Sequence, residues 1–487
     1  MDFSSQLASF QRAAGRQQNS QHQQNRQQDR NFSPGRRHHR SQDDDRHRGH
    51  NKRQRRHHDN NNHDDSRYRR PSPWQEMRTM LANVPPFRLT QEEEDSQQQQ
   101  QQQQQDEEEE ESESPQKPFH LCLLAITIDD LLHQDIWRNW CESGTEDKMI
   151  VSLVGHAKHP ERVRSDWFRS RLMVRPPKPG RGHEYAPPTY HSRRPEWGSI
   201  EITRAMIDLA QEALKLGGND PESHDARFSI QRYAVHHHHN DKNKKPLPPV
   251  DKVLFISETC LPVASLDDFY QKLSLSRYES WVNARDTPNN GYSRQQQFDR
   301  INSVIPRTNC YKADQWMCLA RPHVRAVAQL SQSLPIPLWR CFTDTRASDE
   351  LYFPTALGLI GAIPETQRRV TYADWTLSAR NPASFTANDL TQVHNLATQE
   401  GCLVARKFQP SVDVQLWRSI VLPNADDADN NNDDEEEEGD EEEGGDEEGG
   451  DEEEGDEEEG HEEDGEEDYE GEEDYEGEEE EEEVGED

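Results

Sequence analysis

The sequence predicts an α/β fold with a mostly parallel central sheet, and two observations support this. Three apolar runs, at residues 119–128, 149–155 and 253–257, are continuous rather than alternating, which is typical of strands buried on both faces. Residues 131–141, between the first two runs, have helical spacing. Strand, helix and strand in this order form the βαβ unit of an open α/β sheet.

The later elements continue the same pattern. Residues 199–216 have apolar positions at helical spacing, with Ser199 as the expected N-cap and a pair of glycines as the stop. Residues 312–321 predict a further strand that enters a helix at Pro322, and residues 402–408 predict a short strand that ends in two cations. Residues 236–249 are polar and include four consecutive histidines, which we interpret as an inserted loop rather than a metal site.

Composition divides the 487 residues into three parts. Residues 1–117 form a basic, His- and Gln-rich segment that ends in an acidic run, and residues 423–487 form an acidic Glu/Asp/Gly-rich tail. Both are too poor in apolar side chains to offset the entropy of an ordered chain, so we expect disorder there. Of the 96 acidic residues, 43 lie between residues 425 and 487, so the formal net charge of −40 belongs to the tail. Residues 118–422 remain as the folding domain.

Several classes of protein find no support in the sequence. No apolar run approaches the ~20 residues that span a bilayer, and the residues after Met1 lack the apolar core of a secretory signal. The seven cysteines form no CxxC pair, which argues against a zinc finger. No strand is followed by a glycine-rich phosphate loop, so neither a P-loop nor a dinucleotide fingerprint is indicated.

The segment most suggestive of chemistry is Ser348-Asp349-Glu350, two adjacent carboxylates before a short apolar run. They are expected at the start of a helix, where Glu350 could act as a general base for a hydroxyl group. The simpler alternative is that acidic residues in a first helical turn are favoured by the helix dipole alone.

Six motifs occur in an order similar to that of the core-2/I-branching β-1,6-N-acetylglucosaminyltransferase family, especially its divergent branch best known from plants. The resemblance covers about residues 118–410 and favours the catalytic role of Glu350. The motifs are residues 197–200 (WGSI), 255–263 (FISETCLPV), 312–321 around Gln315-Trp316, 348–350 (SDE), 371–375 and 403–408 (LVARKF).

The resemblance implies a GT-A-like domain that binds a nucleotide-sugar and transfers the sugar with inversion. Glu350 matches the family's catalytic base, and Lys407 matches its diphosphate-binding lysine. Arg380 and Arg406 compete for the role of second cation. Most GT-A enzymes use a divalent metal ion to stabilise the leaving group, but the resemblance implies that basic side chains do so here. We therefore expect no metal site and no cofactor. The donor-binding candidates are Lys407, Arg406, Arg380, Trp197, Ser199 and Thr127, and the acceptor-binding candidates are Glu258, Asp349, Asp374 and Trp375.

The same resemblance implies a UDP-sugar donor, most simply UDP-N-acetylglucosamine, a glycan or glycoprotein acceptor, and a location in the Golgi or secretory membrane system. The chain departs from animal members after its second strand, where His156-Ala-Lys-His replaces an aspartate that helps to hold the nucleotide. A catalytically degenerate glycan- or nucleotide-sugar-binding protein is the alternative. Nucleic acid is a poor candidate partner, because the Arg/His-rich segment lacks interleaved aromatic residues.

Overall fold

The computed structural model describes residues 71–106, 118–143, 147–174, 189–217, 233, 247–286, 295–364, 366–376 and 381–422. The acidic tail, most of the basic segment, Arg380 and most of the 236–249 insertion lie outside the described residues. The α/β fold with a mostly parallel central sheet is confirmed, and it is consistent with a GT-A-like domain.

The central sheet has the strand order β2-β1-β3-β5. Strand β1 pairs in parallel with both β2 and β3, with Phe119 opposite Met149 and Leu121 opposite Lys252, whereas β5 runs antiparallel to β3. The strands are β1 (Phe119–Thr127), β2 (Met149–Ala157), β3 (Lys252–Ser257) and β5 (Cys318–Ala320). A smaller sheet has the order β4-β7-β6, formed by β4 (Leu261–Pro262), β6 (Thr371–Ala373) and β7 (Val404–Arg406).

Helices cover both faces of the central sheet, which is why its strands are continuously apolar. Successive side chains of β1 point to opposite faces, so Cys122, Leu124 and Ile126 enter one hydrophobic core while Leu121 and Leu123 enter the other. The helices are α1 (Pro73–Leu81), α2 (Gln91–Asp106), α3 (Gln134–Glu142), α4 (Asp166–Arg169), α5 (Ile200–Leu214), α6 (Leu266–Ser274), α7 (Gln295–Asn302), α8 (Arg321–Ser333), α9 (Asp349–Leu359), α10 (Leu390–Gln399) and α11 (Val414–Val421).

The structure also describes residues before 118, in the segment that the sequence analysis placed outside the domain. Helix α1 has a capping box at Ser72 and buries Met77 in the same core as α5 and α8. The Phe87 N–H then donates to the Ile360 carbonyl at 2.6 Å. The apolar patch before the Gln-rich run therefore folds back onto the domain, because it can bury surface there that it cannot bury alone.

Candidate active site

A cleft at the edge of the domain collects residues from five separate parts of the chain. Several of the predicted site residues line it together with Gly198, Asp314, Gln315, Trp316 and Arg369. The predicted residues that line the cleft are Trp197, Asp349, Glu350, Trp375, Arg406 and Lys407. The tertiary structure thus places the proposed base and the proposed cations in one cavity.

Helix α9 begins at the predicted position and carries the two carboxylates in its first turn. The Ser348 hydroxyl does not cap the helix; it forms a buried 2.6 Å hydrogen bond with the Thr203 hydroxyl of α5. The residue before it, Ala347, has a φ of +52°, and its N–H donates to the carbonyl of Gly198, whose φ is +69°. The Trp197-Gly198 turn and the start of α9 are therefore fixed against each other.

Glu350 is partly accessible from the cleft, with 24% of its side chain exposed, and its carboxylate has a cationic partner. The Nζ atom of Lys312 lies 2.7 Å from Glu350 Oε2, and the Lys312 side chain is 11% exposed. Sequence analysis placed Lys312 in a motif but assigned it no role. Only the contact with residue 350 identifies it as part of the site.

The neighbouring carboxylate, Asp349, is in a different environment. It is only 5% exposed, and its Oδ1 atom has no hydrogen-bond partner among the described residues. Burial, reinforced by the negative charge of Glu350, raises the pKa of Asp349 to about 7. The adjacent carboxylates thus differ in solvation, and Asp349 favours its neutral form.

The positive end of the cleft is formed at the end of β7. The Arg406 guanidinium lies 4.6 Å from the ring centre of Trp316, and both Arg406 and Lys407 are partly buried. Burial and the neighbouring guanidinium lower the pKa of Lys407, while Glu258 opposes this. The strand end is held in place by a 2.9 Å hydrogen bond from the Phe408 N–H to the Thr259 carbonyl. Two concentrated positive charges suit an anionic ligand.

Two exposed tryptophans line the same cleft. Trp197 is 65% exposed, with the guanidinium of Arg346 5.0 Å from its ring centre, and Trp375 is 37% exposed. Within the described ranges the other exposed tryptophan is Trp74. Aromatic faces left open beside charged groups are suited to contact with a sugar or a base.

Other predicted site residues lie apart from the cleft lining. The Thr127 hydroxyl donates to the Asp129 carbonyl at 2.7 Å, and the Ser199 hydroxyl is buried without a partner among the described residues. Asp374 accepts from the Thr376 N–H at 2.8 Å. Glu258 does not line the cleft. Burial raises the pKa of Glu258, and the positive charges of Arg406 and Lys407 oppose this.

Arg369 and Asp314 are cleft residues that sequence reasoning missed. Their side chains approach to 3.4 Å, and Arg369 also pairs with Glu400 at 3.1 Å. Asp314 belongs to the motif around Gln315-Trp316, which was the one signal available for it. Arg369 follows another arginine in an irregular segment, so no pattern distinguished it.

His156, at the end of β2 where animal members of the family have an aspartate, lies in the protein interior. His156 is fully buried, its Nε2 atom accepts from the Arg193 N–H at 3.0 Å, and burial lowers its pKa to about 4. Arg193 in turn pairs with Asp208 of α5. His156 is therefore a neutral core residue and does not line the cleft.

Among the described residues, no group of three His, Cys, Asp or Glu side chains is arranged to hold a metal ion. None of the helices in these ranges is both long and apolar enough to cross a membrane.

The central part of the chain is similar to a known protein family. Residues 248–396 match the family model described as Core-2/I-Branching enzyme. A curated protein named "Glycosyltransferase BC10", from Oryza sativa subsp. japonica, is 26% identical in an alignment of 175 positions that covers 30% of this chain and 42% of that protein. The chain thus spans less than half the length of this relative. The matched range includes Lys312 and Glu350, whereas Trp197, Arg406 and Lys407 lie outside it and reach the cleft through the fold.

Proposed function

From the similarity of residues 248–396 to Core-2/I-Branching enzymes, we propose that this protein is an inverting glycosyltransferase that moves a sugar from a nucleoside diphosphate to a hydroxyl group. The observation that carries the proposal is that Glu350 and the cations Arg406 and Lys407 line one cleft. Proton removal and leaving-group stabilisation are the two demands of this reaction, and the cleft has a group for each.

In the proposed reaction the acceptor oxygen attacks the anomeric carbon while the bond from that carbon to the diphosphate oxygen breaks. The hydroxyl proton passes to the carboxylate of Glu350. The negative charge that develops on the diphosphate is stabilised by Arg406 and Lys407, so we propose that no divalent ion is required. Preorganised charges are effective here because a partly buried site screens them less than water does.

The family resemblance favours UDP-N-acetylglucosamine as the donor and a 6-hydroxyl of a glycan as the acceptor, giving a β-1,6 linkage. UDP-glucuronic acid and UDP-xylose are the next donors to test. Trp197 and Trp375 are proposed to contact the sugars. A location in the Golgi or secretory membrane system is part of the same proposal and is tested by imaging the tagged full-length chain.

The decisive experiment uses the purified full chain with EDTA and a panel of UDP-sugars, measuring UDP binding, slow donor hydrolysis and transfer to glycan acceptors. Glu350→Gln keeps the shape of the side chain but removes the base, so we expect turnover to fall by about 10²- to 10⁴-fold with UDP affinity unchanged. Lys407→Ala is expected to weaken UDP binding. Lys148→Ala is the matched control, because that side chain is 59% exposed at the start of β2.

Failure of every UDP-sugar to bind would contradict the donor assignment, and binding that requires a divalent ion would contradict the role of the cations. If donors bind but Glu350→Gln leaves slow hydrolysis and transfer unchanged, Glu350 is not the base. Donor binding with neither hydrolysis nor transfer would instead support a nucleotide-sugar-binding protein.

A further inference from the structure

Pro354 interrupts the hydrogen bonding of helix α9 at a point that concerns Glu350. In an α-helix the N–H of each residue donates to the carbonyl four residues earlier, and proline has no N–H. Pro354 lies inside α9, so the carbonyl of Glu350 has no helical donor. The N–H of Ala313 donates to this carbonyl instead, at 2.9 Å. The proline thus makes the main chain of residue 350 available to a second segment.

The segment that occupies this position, residues 309–313, is held along α9 by further bonds. The Thr355 hydroxyl accepts from the Tyr311 N–H at 3.1 Å and donates to the Tyr311 carbonyl at 3.0 Å. The Asn309 amide donates to the Gly358 carbonyl at 2.7 Å. These contacts fix the segment against two turns of the helix, so its distance from the start of α9 is well defined.

Lys312 lies in the middle of this segment, and its main chain is also fixed. Its N–H donates to the Arg285 carbonyl at 2.8 Å, and its carbonyl accepts from the Arg285 N–H at 2.7 Å. Its side chain therefore starts from a rigid backbone and reaches Glu350 Oε2 at 2.7 Å. Because Lys312 is largely buried, the pair is screened weakly by solvent.

We propose that Lys312 is the positioning residue of Glu350, binding Oε2 so that Oε1 is directed to the acceptor hydroxyl, and that Pro354 creates the main-chain contact that sets this geometry. The inference rests on the proposed function, in which Glu350 takes the acceptor proton. In that step the O–H bond of the acceptor breaks and the proton joins Glu350, while Lys312 keeps its own protons throughout.

The charges around Glu350 explain why a fixed cation is needed there. The groups facing it are Lys312 from the 309–313 segment, Asp349 from its own helix and Arg406 from β7, with Asp314 and Arg369 also lining the cleft. Asp349 is adjacent and buried, and the Lys312 ammonium offsets the negative charge of the Glu350 carboxylate beside it.

The test compares full-length Lys312→Met, Lys312→Arg and Pro354→Ala with the wild type. For Lys312→Met we expect kcat to fall about 10²-fold through misplacement of the base, with UDP affinity unchanged because Arg406 and Lys407 remain. Lys312→Arg should restore much of kcat. Pro354→Ala supplies an N–H that competes for the Glu350 carbonyl and should lower kcat while the protein stays folded.

A wild-type kcat in Lys312→Met would overturn the role of the lysine, and a wild-type kcat in Pro354→Ala would overturn that of the proline. If Glu350→Gln is inactive while Lys312→Met is fully active, the inference fails and the proposed function stands. A thermal double-mutant cycle between Lys312→Met and Glu350→Gln needs no substrate. Lys312→Met should lower the melting temperature, and adding Glu350→Gln should recover part of it; zero coupling would overturn the inference even if no donor is found.

Discussion

Gly358→Ala provides a sharp test of how α9 is packed. In an ordinary helix interior, alanine is more favourable than glycine by about 1 kcal/mol. Here a Cβ atom built on Gly358 would lie 2.6 Å from Tyr311 Cε2 and 2.9 Å from the Asn309 carbonyl oxygen. Both distances are well inside van der Waals contact, so the substitution must push the 309–313 segment away from the helix.

The magnitude follows from two costs and one gain. Overpacking of a close contact costs about 1–3 kcal/mol. Displacement of the segment also weakens the 2.7 Å hydrogen bond from Asn309 to the Gly358 carbonyl, which contributes on the order of 1 kcal/mol. After subtraction of the gain in helix propensity, we expect the free energy of unfolding to fall by about 1–3 kcal/mol.

Urea titration of the full chain measures this change in the free energy of unfolding. The comparison requires that the free energy of unfolding has the same slope against urea concentration in both proteins. Tyr311→Ala is the matched background, because it removes the ring but keeps the main chain. Gly358→Ala should cost less in that background, since the contact with Asn309 alone remains. Stabilisation by about 1 kcal/mol in the wild-type background would refute the reasoning, because the helix would then behave as if nothing packed on it.

Three further predictions concern the cleft. Thr203→Val leaves the buried Ser348 hydroxyl without its 2.6 Å partner and should cost about 1–3 kcal/mol in urea titration; a cost below about 0.5 kcal/mol would show that the hydroxyl finds another partner. Trp197→Ala should change the free energy of unfolding by less than about 0.5 kcal/mol because the ring is exposed, yet raise the donor KM about tenfold, and an unchanged KM would exclude stacking. Asp349 has a folded-state pKa of about 7, above its unfolded value near 4, so the folded state binds more protons between these pH values and stability falls as pH rises through them. Asp349→Asn should remove this loss of stability. If the difference in melting temperature between the wild type and Asp349→Asn stays the same from pH 4 to 7, the raised pKa of Asp349 is contradicted.

The main strands and helices could be read from the sequence because their signals are local. The nine residues of β1 are buried without exception, and a continuous apolar run is the expected signature of a strand covered on both faces. The start of α5 after Ser199 was also correct, although the Ser199 hydroxyl does not cap the helix. Boundaries follow from short-range patterns, but hydrogen-bond partners do not.

The folding of residues 71–89 could not be read in the same way. Their apolar patch is too short to form a core alone, and its partners lie far along the chain, as in the bond from Phe87 to Ile360. The composition of a segment indicates how much apolar surface it can bury by itself. It does not indicate how much it can bury against another part of the protein.

From the sequence alone we predicted Glu350 as the base and Lys407 at the diphosphate, because both lie in short, continuous motifs that resemble those of a known family. Tertiary structure decided that they share a cleft with Trp197, that Asp349 is buried beside Glu350, and that Lys312 contacts Glu350. The contact with Lys312 depends on a helix that lacks one N–H at Pro354 and on a segment about 40 residues away that supplies the replacement. Burial and charge pairing arise from residues distant in sequence, so the environment of each group was determined only when the chain folded.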